Sequence, residues 1–151
     1  MFDRLSERPS RGCAPALLAT MALFMAQLGA AGAAGEAGLR VELNKLEEVE
    51  NACRIYLVVD NAAPTSLAAL ELDLVLFGRD GVILRRLAID LAPLRAEKRS
   101  VKLFDVGDLA CTELGSLLVN DVTACADGSG PIADCAERLE TASRAPVTFS
   151  R

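Results

Sequence analysis

The sequence predicts a mainly β domain, an immunoglobulin-like antiparallel sandwich of about seven strands, and three observations carry that prediction. From residue 39 onward the apolar residues recur with period two, each alternating run ends at a turn signal, and the runs are short and closely spaced. Leu39, Val41 and Leu43 alternate with Arg40, Glu42 and Asn44, which puts one face of a first strand in a core. Cys53, Ile55, Leu57 and Val59 alternate with Arg54, Tyr56, Val58 and Asp60 in a second, and Pro64 among the short polar residues of 61–66 (NAAPTS) stops it. Leu70, Leu72, Leu74 and Leu76 alternate with Glu71, Asp73, Val75 and Phe77. A helix would scatter those leucines around its cylinder, whereas an extended chain aligns them on one side.

Residues 78–81 (GRDG) then turn the chain, because Asp-Gly tolerates the positive φ of a tight hairpin. Residues 82–91 return antiparallel, with a β-bulge expected near Arg85 and Arg86, where the alternation slips. Residues 92–99 form a charged loop, after which Val101 and Leu103 alternate with Lys102 and Phe104. Residues 117–125 read as a sixth strand, and Val147 with Phe149 marks the seventh. Two stretches leave a choice. Residues 108–115 (DLACTELG) fit a helical turn capped by Asp108 or an irregular crossing, and after Pro131 the spacing of Ile132, Cys135, Ala136 and Leu139 fits a short C-terminal helix or a further strand.

Ahead of this domain lies an export signal. Arg4, Arg8 and Arg11 precede an uncharged apolar run over residues 14–28, which passes into small residues with an A-x-A pattern at Ala31 and Ala33. The run falls short of the roughly 20 residues a bilayer-spanning helix needs. The expected organisation is therefore a cleavable signal peptide, 1–33, with an uncleaved membrane anchor as the alternative reading of that segment, and a single domain, 34–151, periplasmic or secreted and without stable membrane insertion once the signal is removed. Arg8 and Arg11 are separated by Pro9 and Ser10, which favours the general secretory route over a twin-arginine one. The signal takes three of the 16 basic and two of the 21 acidic residues, so the remainder carries 13 against 19, a net charge of −6. An acidic domain repels nucleic-acid phosphates, so no nucleic-acid partner is expected.

Cys13 leaves with the signal, and Cys53, Cys111, Cys125 and Cys135 remain, an even number in a chain marked for export. Three pairings are open. The nine residues between Cys125 and Cys135 contain Gly128, Gly130 and Pro131 and close as a compact loop, which favours Cys125 with Cys135 and leaves Cys53 with Cys111. By loop-closure entropy the long link is worth roughly 4 kcal/mol and the short one nearer 3.

Residues 57–84, a strand ending in Asp60 and Asn61, a polar turn, a second strand and then Phe77, Asp80 and Gly81, resemble the hairpin of FxLYD-type sandwich modules of exported bacterial proteins. Over nearly the whole domain, Leu43, Asn44, Cys53, Phe104, Asp105, Cys111, Leu118, Asn120, Cys125, Cys135, Ser143 and Arg144 resemble a family of small exported proteobacterial proteins labelled Tat pathway signal domain proteins. That resemblance implies location and fold and brings no activity with it.

Residue types decide the remaining function classes. The chain has no histidine, which removes Ser-His-Asp and Cys-His nucleophile systems, histidine metal sites and histidine pH switches. The cysteines lack a C-x-x-C knuckle for zinc or redox work, and the acidic run Glu42, Glu47, Glu48 and Glu50 lacks EF-hand spacing and reads as a solvated strand end. One tyrosine and no tryptophan leave too few aromatics for a stacking platform. No enzyme and no cofactor are expected. The expected function is an exported protein-binding or accessory module of the periplasm or cell envelope whose partner is another envelope or extracellular protein. The alternatives are a small secreted effector or inhibitor and, last, an enzyme of unrecognised class. Tyr56, Val58, Val75 and Phe77, read as outward residues of adjacent strands, are the candidate interface.

Overall fold

The computed structural model describes residues 38–151, so the signal-peptide assignment lies outside the described residues. These form nine strands, β1 (Leu39–Val49), β2 (Ala52–Asn61), β3 (Leu67–Gly78), β4 (Ile83–Asp90), β5 (Lys98–Gly107), β6 (Leu114–Asp127), β7 (Gly130–Pro131), β8 (Leu139–Ser143) and β9 (Thr148–Ser150). A single 3₁₀ turn, Cys111–Glu113, precedes β6, and one helical turn, α1 (Cys135–Arg138), precedes β8.

The strands form a sandwich. One sheet runs β5-β2-β1-β8; the other runs β4-β3-β6, with β7 and β9 both paired to β6. In the immunoglobulin scheme β1, β2 and β5 stand as A, B and E, facing β4, β3 and β6 as C′, C and F. The expected antiparallel sandwich is thus present with two corrections. Both sheets are mixed, because β8 runs parallel to β1 and β9 parallel to β6, and the strands number nine. The choice after Pro131 resolves into both options, a four-residue helix and then a strand.

Period two builds the core. Leu70, Leu72, Leu74 and Leu76 of β3 are completely buried and meet Val41, Leu43, Ile55, Leu57 and Val59 from the opposite sheet in one apolar cluster. Removing such surface from water is the main driving force for folding, at roughly 25 cal/mol per Å². Asn44 is a bulge residue, since Leu43 pairs with Leu57 and Lys45 with Tyr56. The extra residue reverses the alternation and returns Leu46 to the core side, which is why β1 runs on through the acidic stretch that reads as a strand end. A second bulge falls at Leu84, one residue before the expected pair, where Leu76 meets Arg85 and Phe77 meets Ile83.

Turns follow local chemistry. Gly81 has φ +81° in the β3–β4 turn, and the Asp80 carboxylate accepts the Val82 N–H at 3.0 Å. Asn61 ends β2 buried, donating to the carbonyls of Thr65 (2.9 Å) and Arg95 (3.0 Å) and accepting from Ala63 N–H. Asp108 does not cap the 3₁₀ turn; it adopts φ +53° and donates its N–H to Asn51. Two disulfides tie the loops to the sheets. Cys53 on the inner side of β2 bonds Cys111 in the 3₁₀ turn, Cα atoms 4.8 Å apart, and Cys125 of β6 bonds Cys135 of α1, Cα atoms 6.3 Å apart. Such links fit an oxidising compartment outside the cytoplasm. Among the described residues no helix is long and apolar enough to cross a membrane.

Candidate protein-binding face

The outer face of the first sheet is set by the register of β2 and β5. Arg54 stands opposite Asp105, Tyr56 opposite Leu103, Val58 opposite Val101, and Asp60 opposite Arg99. The even-numbered residues of β5 face inward, where Val106 is buried and Phe104 half-buried, so Val101 and Leu103 are left outside. They are 63% and 53% exposed, beside half-buried Tyr56 and Val58. The result is an apolar strip two strands wide on an otherwise charged face.

Ion pairs close both ends of the strip. Arg54 grips Asp105 through two parallel bonds, Nε to Oδ1 at 2.7 Å and Nη2 to Oδ2 at 2.8 Å. At the other end Arg99 donates to Asp60 Oδ2 through Nη2 (2.7 Å) and Nε (3.1 Å). The Tyr56 hydroxyl donates to Glu47 at 2.5 Å while Lys45 Nζ lies 5.2 Å from the ring centroid and 3.0 Å from the same carboxylate. Next to Val58 and Val101 an open depression of about 570 Å³ is lined by Arg40, Glu42, Asp60, Arg99 and Arg144. Glu42 there accepts from Asn44 at 3.1 Å and Arg144 at 2.8 Å.

These contacts favour the charged forms. The bond from Asn44, with Arg144 beside it, holds Glu42 below the usual carboxylate range; the Tyr56 hydroxyl and then Lys45 do the same for Glu47, and Arg54 for Asp105. Opposite charges are therefore already satisfied, and the face offers apolar contact inside a fixed polar rim. Among the described residues no group of three or more Cys, Asp or Glu side chains gathers to hold a metal ion.

The four residues expected to form one interface do not. Tyr56 and Val58 do point outward from β2, but β3 belongs to the other sheet, so Val75 and Phe77 lie on the opposite side of the molecule. Val75 is buried there between Arg86 of β4 and Leu118 of β6, and Phe77 sits between Ile83 and Ser116. The error is one of topology. Chain order makes β2 and β3 neighbours, whereas the crossing between sheets separates them and brings β5 beside β2. A signal for the true partner is present in the sequence. Arg54 and Asp60 are spaced like Arg99 and Asp105, with charges matched when the strands run antiparallel.

No family model matches the chain, and no curated protein matches it. A solved structure, that of IrmA from Escherichia coli, is similar with a TM-score of 0.53 at 9% sequence identity, covering 69% of this chain and 90% of that one. At that identity the likeness is one of fold.

Proposed function

We propose that the chain is an exported, non-catalytic protein-binding or accessory module of the cell envelope, periplasm or extracellular space, which takes a protein partner on the outer face of the first sheet. The observation that carries this reading is the strip of Tyr56, Val58, Val101 and Leu103, with its exposed valine and leucine framed by two ion pairs. Exposed apolar residues enclosed by a polar rim are the ordinary anatomy of a protein interface. Fixing the rim within the free protein lowers the ordering cost of association. The leader of residues 1–33 and the two disulfides support the location.

The test is affinity capture from envelope extract and culture medium with oxidised protein in three forms, unsubstituted, Val58→Glu and Ile83→Glu. Val58 is central to the strip, and Ile83 is an exposed residue of the opposite sheet. The reading expects a defined protein retained by the unsubstituted and Ile83→Glu forms and lost with Val58→Glu. Equal recovery on all three would remove the strip from consideration.

A further inference from the structure

The two sheets end differently on the side of β4 and β5. The β4 edge is broken by the Leu84 bulge and carries Arg85 and Arg86, devices that discourage strand pairing. The β5 edge is straight, with no irregularity in its register against β2 over ten residues. The backbone groups left unpaired among the described residues can be assigned. Asp108 N–H donates to Asn51 O at 2.7 Å, which continues the β2–β5 ladder by one rung, so Val106, Phe104, Lys102 and Ser100 turn their N–H and C=O toward β2. Arg99, Val101, Leu103 and Asp105 turn theirs to the open edge. Gly107, next in that series, has its outward carbonyl taken by Arg85 Nη2 at 3.1 Å, which marks where the usable edge ends.

From this edge we infer that β5 pairs antiparallel with β5 of a second copy of this chain, about a twofold axis through Lys102. Both copies contribute the same strand, so opposed residues must share a face, and the Lys102 register places Val101 against Leu103 and Arg99 against Asp105 of the second copy. Each of these pairs exchanges backbone bonds. The outer face then becomes continuous across the seam. Val58 and Val101 run on into Leu103 and Tyr56 of the second copy, and Asp60, Arg99, Asp105 and Arg54 form a row of alternating charge over four strands. Moving the axis by one allowed step sets Val101 against Asp105, or Leu103 against Arg99, and loses both matches. Lys102 meets its own copy on the axis, and its Nζ is drawn aside to the Ala92 carbonyl at 3.1 Å. This pairing is independent of the partner proposed for the face, and it doubles that face if both hold.

Three forms of the purified protein, with both disulfides intact, test it. Light scattering from micromolar to submillimolar concentration should show a dimer for the unsubstituted chain. Val101→Pro removes an outward N–H and leaves the β2 ladder whole, so it should fold and raise the dimer dissociation constant about tenfold or more. Lys102→Cys should form a covalent dimer under mild copper-phenanthroline oxidation, because non-hydrogen-bonded partners stand about 4.5 Å apart at Cα. Ser100→Cys should not, its mate lying about 14 Å away. A monomer at every concentration overturns the inference, as does a dimer that tolerates Val101→Pro or cross-links through residue 100. Should Val101→Pro fail to fold, the two cysteine variants still decide. Partner capture reads the other proposal separately.

Discussion

Asp73 places a carboxylate in the middle of the most apolar strand, and its neighbours explain how it is tolerated. It lies buried on the outer side of β3, gripped by Arg86 Nε and Nη2 at 2.9 and 2.8 Å, with Asn120 Nδ2 at 2.6 Å. Arg86 first and Asn120 second hold its carboxyl below the ordinary value. A depressed folded-state pKa means stability that is present above the unfolded value of about 3.9 and is lost as pH falls through the folded one. Asp73→Asn should therefore melt below the unsubstituted protein at pH 7, and the gap should close in scans below about pH 4. Asn61 gives a second prediction. Removing its amide takes the donor from two part-buried carbonyls, so Asn61→Ala should cost about 1 to 3 kcal/mol in urea unfolding. The sequence marks Asp73 only as a polar residue on the non-leucine side, because which outward residues of β3, β4 and β6 meet depends on register between distant strands.

Whole strands were legible wherever alternation is strong. The leucine series of β3 requires no knowledge of its partners, and Leu74→Ala should cost about 2 to 5 kcal/mol, measured by chemical denaturation. Gly115 is less obvious from sequence. A Cβ there would stand 2.5 Å from the Gly78 carbonyl oxygen, so Gly115→Ala must push β3 and β6 apart and should destabilise by about 1 to 3 kcal/mol. Of the short elements, β9 was legible from Val147 and Phe149, whereas β7 and the parallel pairing of β8 were not, and their chemistry shows why. Leu139–Ser143 (LETAS) buries Leu139 alone and owes its extended form to a parallel partner about a hundred residues earlier. The β1 bulge hides in the same way, since Asn44 interrupts a period that resumes in the opposite phase.

At the scale of the molecule, the disulfides and the edges set the behaviour. Cys53 and Cys111 are 58 residues apart in sequence, and Cys125 and Cys135 only 10. Loop-closure entropy then makes the double Cys53→Ala, Cys111→Ala variant lose about 4 kcal/mol, more than the roughly 3 lost by the Cys125→Ala, Cys135→Ala pair. Thermal melts of both, against the oxidised parent, check the order. The sandwich class could be read from the number and spacing of the strands, while the order in which they pair could not, and that order is what misplaced Val75 and Phe77 on a shared interface with Tyr56 and Val58.

The far side of the molecule bears on how association stops. There the first sheet ends in β8, five residues long and paired parallel to β1, with β9 of the other sheet beside it. A body with one long straight margin and one stunted one can be joined through the long margin once, and the join uses it up. If β5 pairs with β5 of a second copy, growth halts at two, because among the described residues the short β8 border offers no matched margin from which a ribbon-like fibre could extend the first sheet.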